Sequence, residues 1–309
     1  MEEVKKEMST GDDVAEKREQ TVSQVARGGT DRARSGIPGF DELTKGGLIR
    51  NKAYLIAGAA GTGKTIFSMQ FIHSGAVKYR ENGVYVTLEE TPEQLRRDMS
   101  RFGWNFRKLE DEGRSILLDA SSSRVGVASQ EKFIVPRPFT LDALLYETKR
   151  CMEKINAKRV VIDCLDAMGL LYAEDPEEFR KSLLTLTMIL KSFECTSLLV
   201  SESFGMKNSR YEVEGFIADG IIVLHHELGE KILDESSFDE NPADGNLLQE
   251  CKSWTRTRIR RIEVLKMRGS DHSHDLHRFL ITQDGIVVES RPEVTRRIRK
   301  AMFKTRPVE

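Results

Sequence analysis

The stretch Gly58-Ala59-Ala60-Gly61-Thr62-Gly63-Lys64-Thr65 constrains this chain more than any other feature. It satisfies G-x-x-x-x-G-K-[ST] at every defined position, after the short apolar run Ala53 to Ala57 and before a helical pattern from Lys64 to about Glu81. A glycine-rich turn between strand and helix lets successive backbone N–H groups curl around phosphate oxygens. The helix N-terminus adds partial positive charge. In such a loop Lys64 reaches the β and γ oxygens of a nucleoside triphosphate, and the Thr65 hydroxyl ligates Mg2+. The expected cofactor-binding stretch is Gly58, Ala60, Gly61, Thr62, Gly63, Lys64, Thr65 and Ile66, with ATP and Mg2+ as the expected cofactors.

Around this turn, strand-like and helix-like segments alternate, which calls for a mainly parallel sheet covered on both faces. Val84 to Thr87 reads as a strand and Thr91 to Phe102 as a helix. Leu141 to Ile155 repeats apolar positions at three and four, and Arg159 to Asp163 is a buried strand closed by a carboxylate. A helix is expected from about Pro176, whose missing N–H suits a first turn. Strands follow at Thr196 to Ser201 and Gly220 to His226. Glu227 to Glu250 is acidic and rich in Asp, Ser and Gly, and reads as a long exposed loop inserted at about 227–250. Ile259 to Arg268 alternates like a strand, and Phe279 to Val288 reads as a hairpin turning at Gln283-Asp284-Gly285.

Residues 1–35 are dense in both charges and poor in large apolar side chains, so they read as a disordered tail. The globular pattern occupies 36–290, and 291–309 is a basic C-terminal tail. Lys+Arg 48 against Asp+Glu 49 leaves a net charge of −1, so nothing draws the whole chain toward nucleic acid or an anionic membrane. Mean hydropathy is −0.43, and no apolar run approaches the roughly 20 residues that span a bilayer. The start lacks an apolar signal core, and a cytoplasmic protein is expected. Cys151, Cys164, Cys195 and Cys251 form no C-x-x-C pair and read as small buried hydrophobes, with Cys251 the more exposed.

A carboxylate at the end of a neighbouring strand should hold the metal through water. Asp163 fits that place, its alternative being to cap the next turn. Asp166 competes less well and reads as structural. Glu89 and Glu90 end the strand before Thr91, at the sheet edge where ligands sit. One can polarise an attacking water and the other fix it, or both can simply favour a helix start. Lys266 and Arg268 alternate onto one face, as an anion clamp or as a charged edge, and spacing alone favours the edge.

Taken together, these stretches resemble the KaiC branch of the RecA-like ATPases. The resemblance is carried by 36–43, 46–48, the phosphate loop, Val-Thr-Leu-Glu-Glu-Thr-Pro at 86–92, Phe-Gly-Trp at 102–104 and Leu-Leu-Asp-Ala at 117–120. Val-Val-Ile-Asp at 160–163 and Glu-Val-Leu-Lys-Met-Arg-Gly-Ser-Asp-His at 263–272 complete it. It implies an α/β, RecA-like P-loop ATPase core with a mainly parallel central sheet between helices and C-terminal antiparallel strands. It also implies a homo-oligomeric ring, a hexamer, with ATP at each subunit junction and a regulatory protein partner. Glu89 and Glu90 match the family's catalytic glutamates, with Glu90 and Thr65 beside the metal and Asp163 reaching it through water. Lys266, Met267 and Arg268 match contacts to the neighbouring subunit's nucleotide, and Ser270 and His272 match further contacts there. Gln283 stands where the family has an acid. The autokinase branch carries adjacent Ser and Thr where this chain has 214–220 without hydroxyls, which favours hydrolysis over self-phosphorylation, although Ser209 and Tyr211 lie nearby.

Two weaker constellations stand beside this one. His272, His274 and His277 with Asp271 and Asp275 could suggest a metal site, but His277 leaves the face the other two share on a strand. Arg256, Arg258, Arg260 and Arg261 after Trp254 could contact single-stranded DNA, a reading that the preceding acidic stretch disfavours.

Overall fold

A computed structural model describes residues 32–169, 176–202, 218–231 and 255–290. In chain order the elements are β1 (Arg32–Ala33), α1 (Phe40–Leu43), β2 (Leu48–Ile49), β3 (Ala53–Ala57) and α2 (Lys64–Ser74). Then come β4 (Gly83–Thr87), α3 (Pro92–Ser100), α4 (Phe106–Asp111), β5 (Ser115–Asp119), α5 (Ser121–Val125) and α6 (Leu141–Ile155). The remainder are β6 (Arg159–Asp163), α7 (Leu165–Gly169), α8 (Pro176–Ser192), β7 (Thr196–Ser201), β8 (Gly220–Lys231), β9 (Thr255–Met267), β10 (His277–Thr282) and β11 (Gly285–Val288).

Nine strands form one sheet in the order β11-β10-β9-β8-β3-β7-β6-β4-β5. The pairs from β8 through β3 to β5 are parallel, and those from β8 to β11 are antiparallel. The expected α/β architecture, mainly parallel with antiparallel C-terminal strands, is therefore present. Every residue of β3, β4 and β5 is buried, which requires cover on both faces. Helix α2 packs against β4, β6, β7 and β11, α6 against β4 and β5, and α8 against β3 and β7.

Helix α2 is buried nearly all round, from Lys64 and Phe67 to Ile72 and Ser74. Its outer side is covered by the β10–β11 hairpin. The edge strand β11 would otherwise present unpaired backbone groups. Gln70 closes that edge: the Ile286 N–H donates to its Oε1 at 2.7 Å, and its Nε2 donates to the Ile286 carbonyl at 3.1 Å. Further along, the Val288 N–H donates to the Pro38 carbonyl at 2.8 Å. The Phe-Gly-Trp stretch packs on the same helix, with the Trp104 and His73 rings stacked at 5.3 Å.

At the other pole, the Arg159 guanidinium is fully buried and ties distant segments together. Its Nε donates to Glu81 at 2.7 Å, Nη1 to the Phe71 carbonyl and Nη2 to the Arg34 carbonyl, both at 2.8 Å. It also lies 4.3 Å from the centroid of the Phe71 ring.

Three sequence expectations need correction. Helix α2 stops at Ser74 and continues as a π-helical turn over Gly75–Tyr79, ending where Arg80 turns left-handed (φ 56°). Arg32 to Ser35 belong to the fold rather than to a tail ending at 35. Ala33 pairs with Leu48, and Ala33 and Ser35 are both buried. Glu227 to Lys231, read as loop from composition, extend β8 and pair with Ile259 back to Thr255. The cross-strand ion pair Glu227–Arg261 (3.7 Å) suits acidic residues to that ribbon. The rest of the proposed insertion, the two tails beyond these bounds, Ser209, Tyr211 and Cys251 lie outside the described residues. The other three cysteines are buried free thiols.

Candidate functional site

The phosphate loop leaves β3 at its C-terminal end and enters α2 at Lys64. Gly58, at φ 152°, donates its N–H to the Ser201 carbonyl at 3.3 Å, which fastens the loop to the neighbouring β7. A Cβ at Gly58 would sit 2.2 Å from the Leu224 carbonyl oxygen, so no larger residue fits without moving β8. Thr62 closes the turn, its N–H and hydroxyl both donating to the Ala59 carbonyl (3.3 and 2.9 Å). Gly63 caps α2 in a left-handed conformation, and Ile281 of the hairpin lies 3.2 Å from where its Cβ would be. Ala60, Gly61 and Ile66 complete the loop and the first turn of α2.

Lys64 is almost buried, at 7% exposure, and its ammonium donates to the Ala59 carbonyl at 3.1 Å and to Glu202 Oε1 at 3.2 Å. The Thr65 hydroxyl donates to Asp163 Oδ2 at 3.0 Å, and the Tyr85 hydroxyl donates to the same oxygen. Asp163 therefore turns its carboxylate toward the first residues of α2 rather than capping its own turn. Burial raises its pKa, against the lowering effect of the Tyr85 and Thr65 hydrogen bonds. Burial likewise raises the Glu90 carboxyl, with the charges of Asp163, Asp98 and Glu89 adding to it. Glu89 and Glu90 precede a helix that needs no acid to start. Thr91 caps α3, its hydroxyl accepting from the Gln94 N–H in a reciprocal box. Glu90 is instead held by its carbonyl, which accepts from the Thr87 hydroxyl at 2.5 Å. Lys64, Thr65, Asp163, Glu89 and Glu90 are thus brought to one edge of the sheet.

Lys266, Met267 and Arg268 are not. Gly220 pairs with Tyr54 on one side and Met267 on the other, so these residues stand beside the beginning of β3. The phosphate loop leaves the opposite end of that strand, roughly 13 Å away at the usual rise. A bulge between Ile221 and Ile222 leaves Leu265 exposed and interrupts the expected simple alternation. Lys266 donates to the Ala218 carbonyl at 2.8 Å, and burial, then the nearby Arg268 charge, lower its pKa. The Arg268 side chain is exposed while its N–H donates to the Asp219 carbonyl. Ser270 accepts from Arg32 at 2.5 Å, and Ser273 donates its N–H to the Leu43 carbonyl, so this strand end is stitched to the segment from Arg32 to Leu43.

The His272 and His274 rings lie 4.7 Å apart, but His277 bonds to Ser273 at 2.7 Å, and no cluster suited to a metal forms among the described His, Cys, Asp and Glu residues. Arg258 and Arg260 alternate to one side of the β8–β9 ribbon and Arg261 to the other, where it pairs with Glu227. No described helix is long and apolar enough to cross a membrane.

Comparison with known proteins places this geometry in a lineage. A family model described as the KaiC ATPase matches residues 33–293. The chain belongs to the KaiC family of ATPases. A circadian clock oscillator protein KaiC from Parathermosynechococcus lividus is 36% identical over 262 residues, 84% of this chain but 42% of that protein. The chain thus spans less than half of that relative. A UPF0273 protein of Methanopyrus kandleri is also 36% identical, with 84% of this chain and 92% of that protein covered. The crystal structure of a KaiC-like protein from Pyrococcus horikoshii OT3 superposes with a TM-score of 0.64 at 37% identity, covering 83% of this chain and 98% of that one. The KaiC-family resemblance read from the motifs therefore holds, and so does the fold it implied.

Sequence reasoning missed Tyr85 and Glu202 at this end of the sheet, where they bond to Asp163 and Lys64. Tyr85 sits in the apolar run Val84 to Val86, where a phenol reads as packing. Glu202 directly follows a buried strand, so the rule that found Asp163 would have found it too.

Proposed function

We propose that this KaiC-family chain binds ATP at the phosphate loop and hydrolyses it to ADP and phosphate, as one subunit of a ring. The carrying observation is the convergence of Lys64, Thr65, Asp163 and Glu90 on one sheet edge. The donor set there suits Mg2+: a hydroxyl and a carboxylate 3.0 Å apart, both hard oxygens, with Glu90 nearby. Thr65 and Glu90 would hold the ion and Asp163 would reach it through water. Bound there, the ion supplies charge neutralisation on the phosphates.

The chain's own groups do the remaining work. Backbone N–H groups from Gly58 to Thr65 and the Lys64 ammonium orient the triphosphate. Glu90, whose proton affinity burial and its acidic neighbours raise, accepts a proton from the attacking water, while Glu89 fixes that water. Lys266 and Arg268 stand at the far edge from their own loop, which favours action on a neighbouring subunit's nucleotide, with Met267, Ser270 and His272 lining that contact. The changing nucleotide state would then alter docking of a regulatory protein partner.

Phosphate release and light-scattering mass, measured together, test this. Hydrolysis should fall by about 100-fold or more in Glu90→Gln and disappear in Lys64→Ala. Mass should rise toward a hexamer with ATP and Mg2+. Mixing Arg268→Ala with Lys64→Ala should restore some turnover at hybrid junctions. Full turnover by a strict monomer would refute the assignment of Lys266 and Arg268.

A further inference from the structure

Lys64 does not face solvent in this fold. Its almost buried ammonium is held by the Ala59 carbonyl and by Glu202, the residue that follows β7. Glu202 is fixed from behind, since its backbone N–H donates to Asp166 Oδ2 at 2.7 Å. The same strand end holds the loop itself, through the Gly58 N–H on the Ser201 carbonyl. A buried ammonium requires an anionic or carbonyl partner, and Glu202 supplies the charge. A triphosphate would bring several further negative charges to the same nitrogen. A carboxylate and phosphate oxygens sharing one ammonium repel each other at short range, in a partly dry site where screening is weak.

We propose that Glu202 is an exchangeable counter-ion for Lys64: the carboxylate and the triphosphate occupy the ammonium alternately, so the end of β7 reports whether nucleotide is bound. This rests on the reading of the phosphate loop as a nucleotide site. It adds a residue that positions Lys64, and a point where occupancy is passed to the chain beyond β7. Glu202 acts through Lys64 and is a positioning residue, with its side chain 45% exposed and free to swing away.

Two measurements on the full chain test this. A water-soluble carbodiimide joins a lysine amine to a carboxylate in direct contact, with loss of water to the reagent. Mass spectrometry should find the Lys64–Glu202 cross-link without added nucleotide, lose it with saturating Mg2+-ADP, and never find it in Glu202→Gln. In nucleotide titrations, Glu202→Gln should bind ADP about fivefold more tightly, the size of a partly exposed ion pair. In a Lys64→Met background the same substitution should change affinity by less than about twofold. A cross-link undiminished by bound nucleotide overturns the proposal. So does equal tightening in both backgrounds, which would mean simple removal of a negative charge, and so does a loss of affinity. A wild-type chain that binds no nucleotide sinks the phosphate-loop reading first and this inference with it. Tight binding with an undiminished cross-link sinks this inference alone.

Discussion

Replacing Gln70 with Leu should loosen the hairpin that covers the phosphate-loop helix. The change nearly conserves volume, so packing is largely kept and the loss is one of hydrogen bonds. Gln70 satisfies both outward backbone groups of Ile286, whose residue is fully buried. Leaving a buried N–H and a buried carbonyl unpaired costs about 1–3 kcal/mol each. Part of that is offset because the apolar side chain no longer desolvates an amide. A net loss of about 2–4 kcal/mol follows, which is roughly 5–12 °C in melting temperature for a domain of this size. Urea unfolding followed by tryptophan fluorescence gives the free energy, since Trp104 packs against this helix. Amide hydrogen exchange at Ile286 reports the local opening, which should accelerate well beyond that of β3. Because Ile281 of the hairpin rests against Gly63, nucleotide affinity should fall as well. A variant within about 0.5 kcal/mol of wild type, with Ile286 exchange unchanged, would refute the claim that a side chain closes this sheet edge.

Other substitutions probe other parts of the same architecture. Gly75→Ala places a Cβ 2.5 Å from Arg159 Cδ and Nε, and Arg159 is held on three sides, so a loss of about 1–3 kcal/mol is expected in urea unfolding. Tyr85→Phe removes a donor to Asp163 and should weaken nucleotide binding several-fold in Mg2+ but not in EDTA, as read by a fluorescent ADP analogue. Burial, helped by Lys78 and Arg114, pushes the His73 pKa down to about 4, so the folded chain resists a proton that the unfolded chain takes up near 6.5. Its contribution is complete above pH 6.5 and is lost as pH falls toward 4, by of order 1–3 kcal/mol. In His73→Phe the pH dependence of the urea midpoint between 6.5 and 5 should flatten, and an unchanged slope would count against it.

Much of this was legible because local chemistry and tertiary structure agree. Leu141–Ile155 and Arg159–Asp163 begin and end where periodicity and the closing carboxylate place them, and the structure adds Thr140 as the helix cap. Helix α2 was legible for a different reason: buried on nearly all sides, it has little amphipathic signature, and only the phosphate-loop motif marks where it starts. The misread segments are those whose conformation is set by a distant partner. Glu227 to Lys231 have no apolar alternation and become strand through pairing with β9, and Arg32 and Ala33 do so through β2. The bulge at Leu265 is invisible in a sequence that alternates on both sides of it. Glu202 stood at a strand end where a carboxylate is legible, but its partner, the ammonium of Lys64, lies far away in the chain.

The arrangement around Arg159 has an architectural consequence. One side chain fastens the segments at Arg34, Phe71 and Glu81 beneath the sheet, at the pole away from the phosphate loop. Because that keel shares no contact with the phosphate loop, residues along the ligand rim can exchange partners without disturbing it.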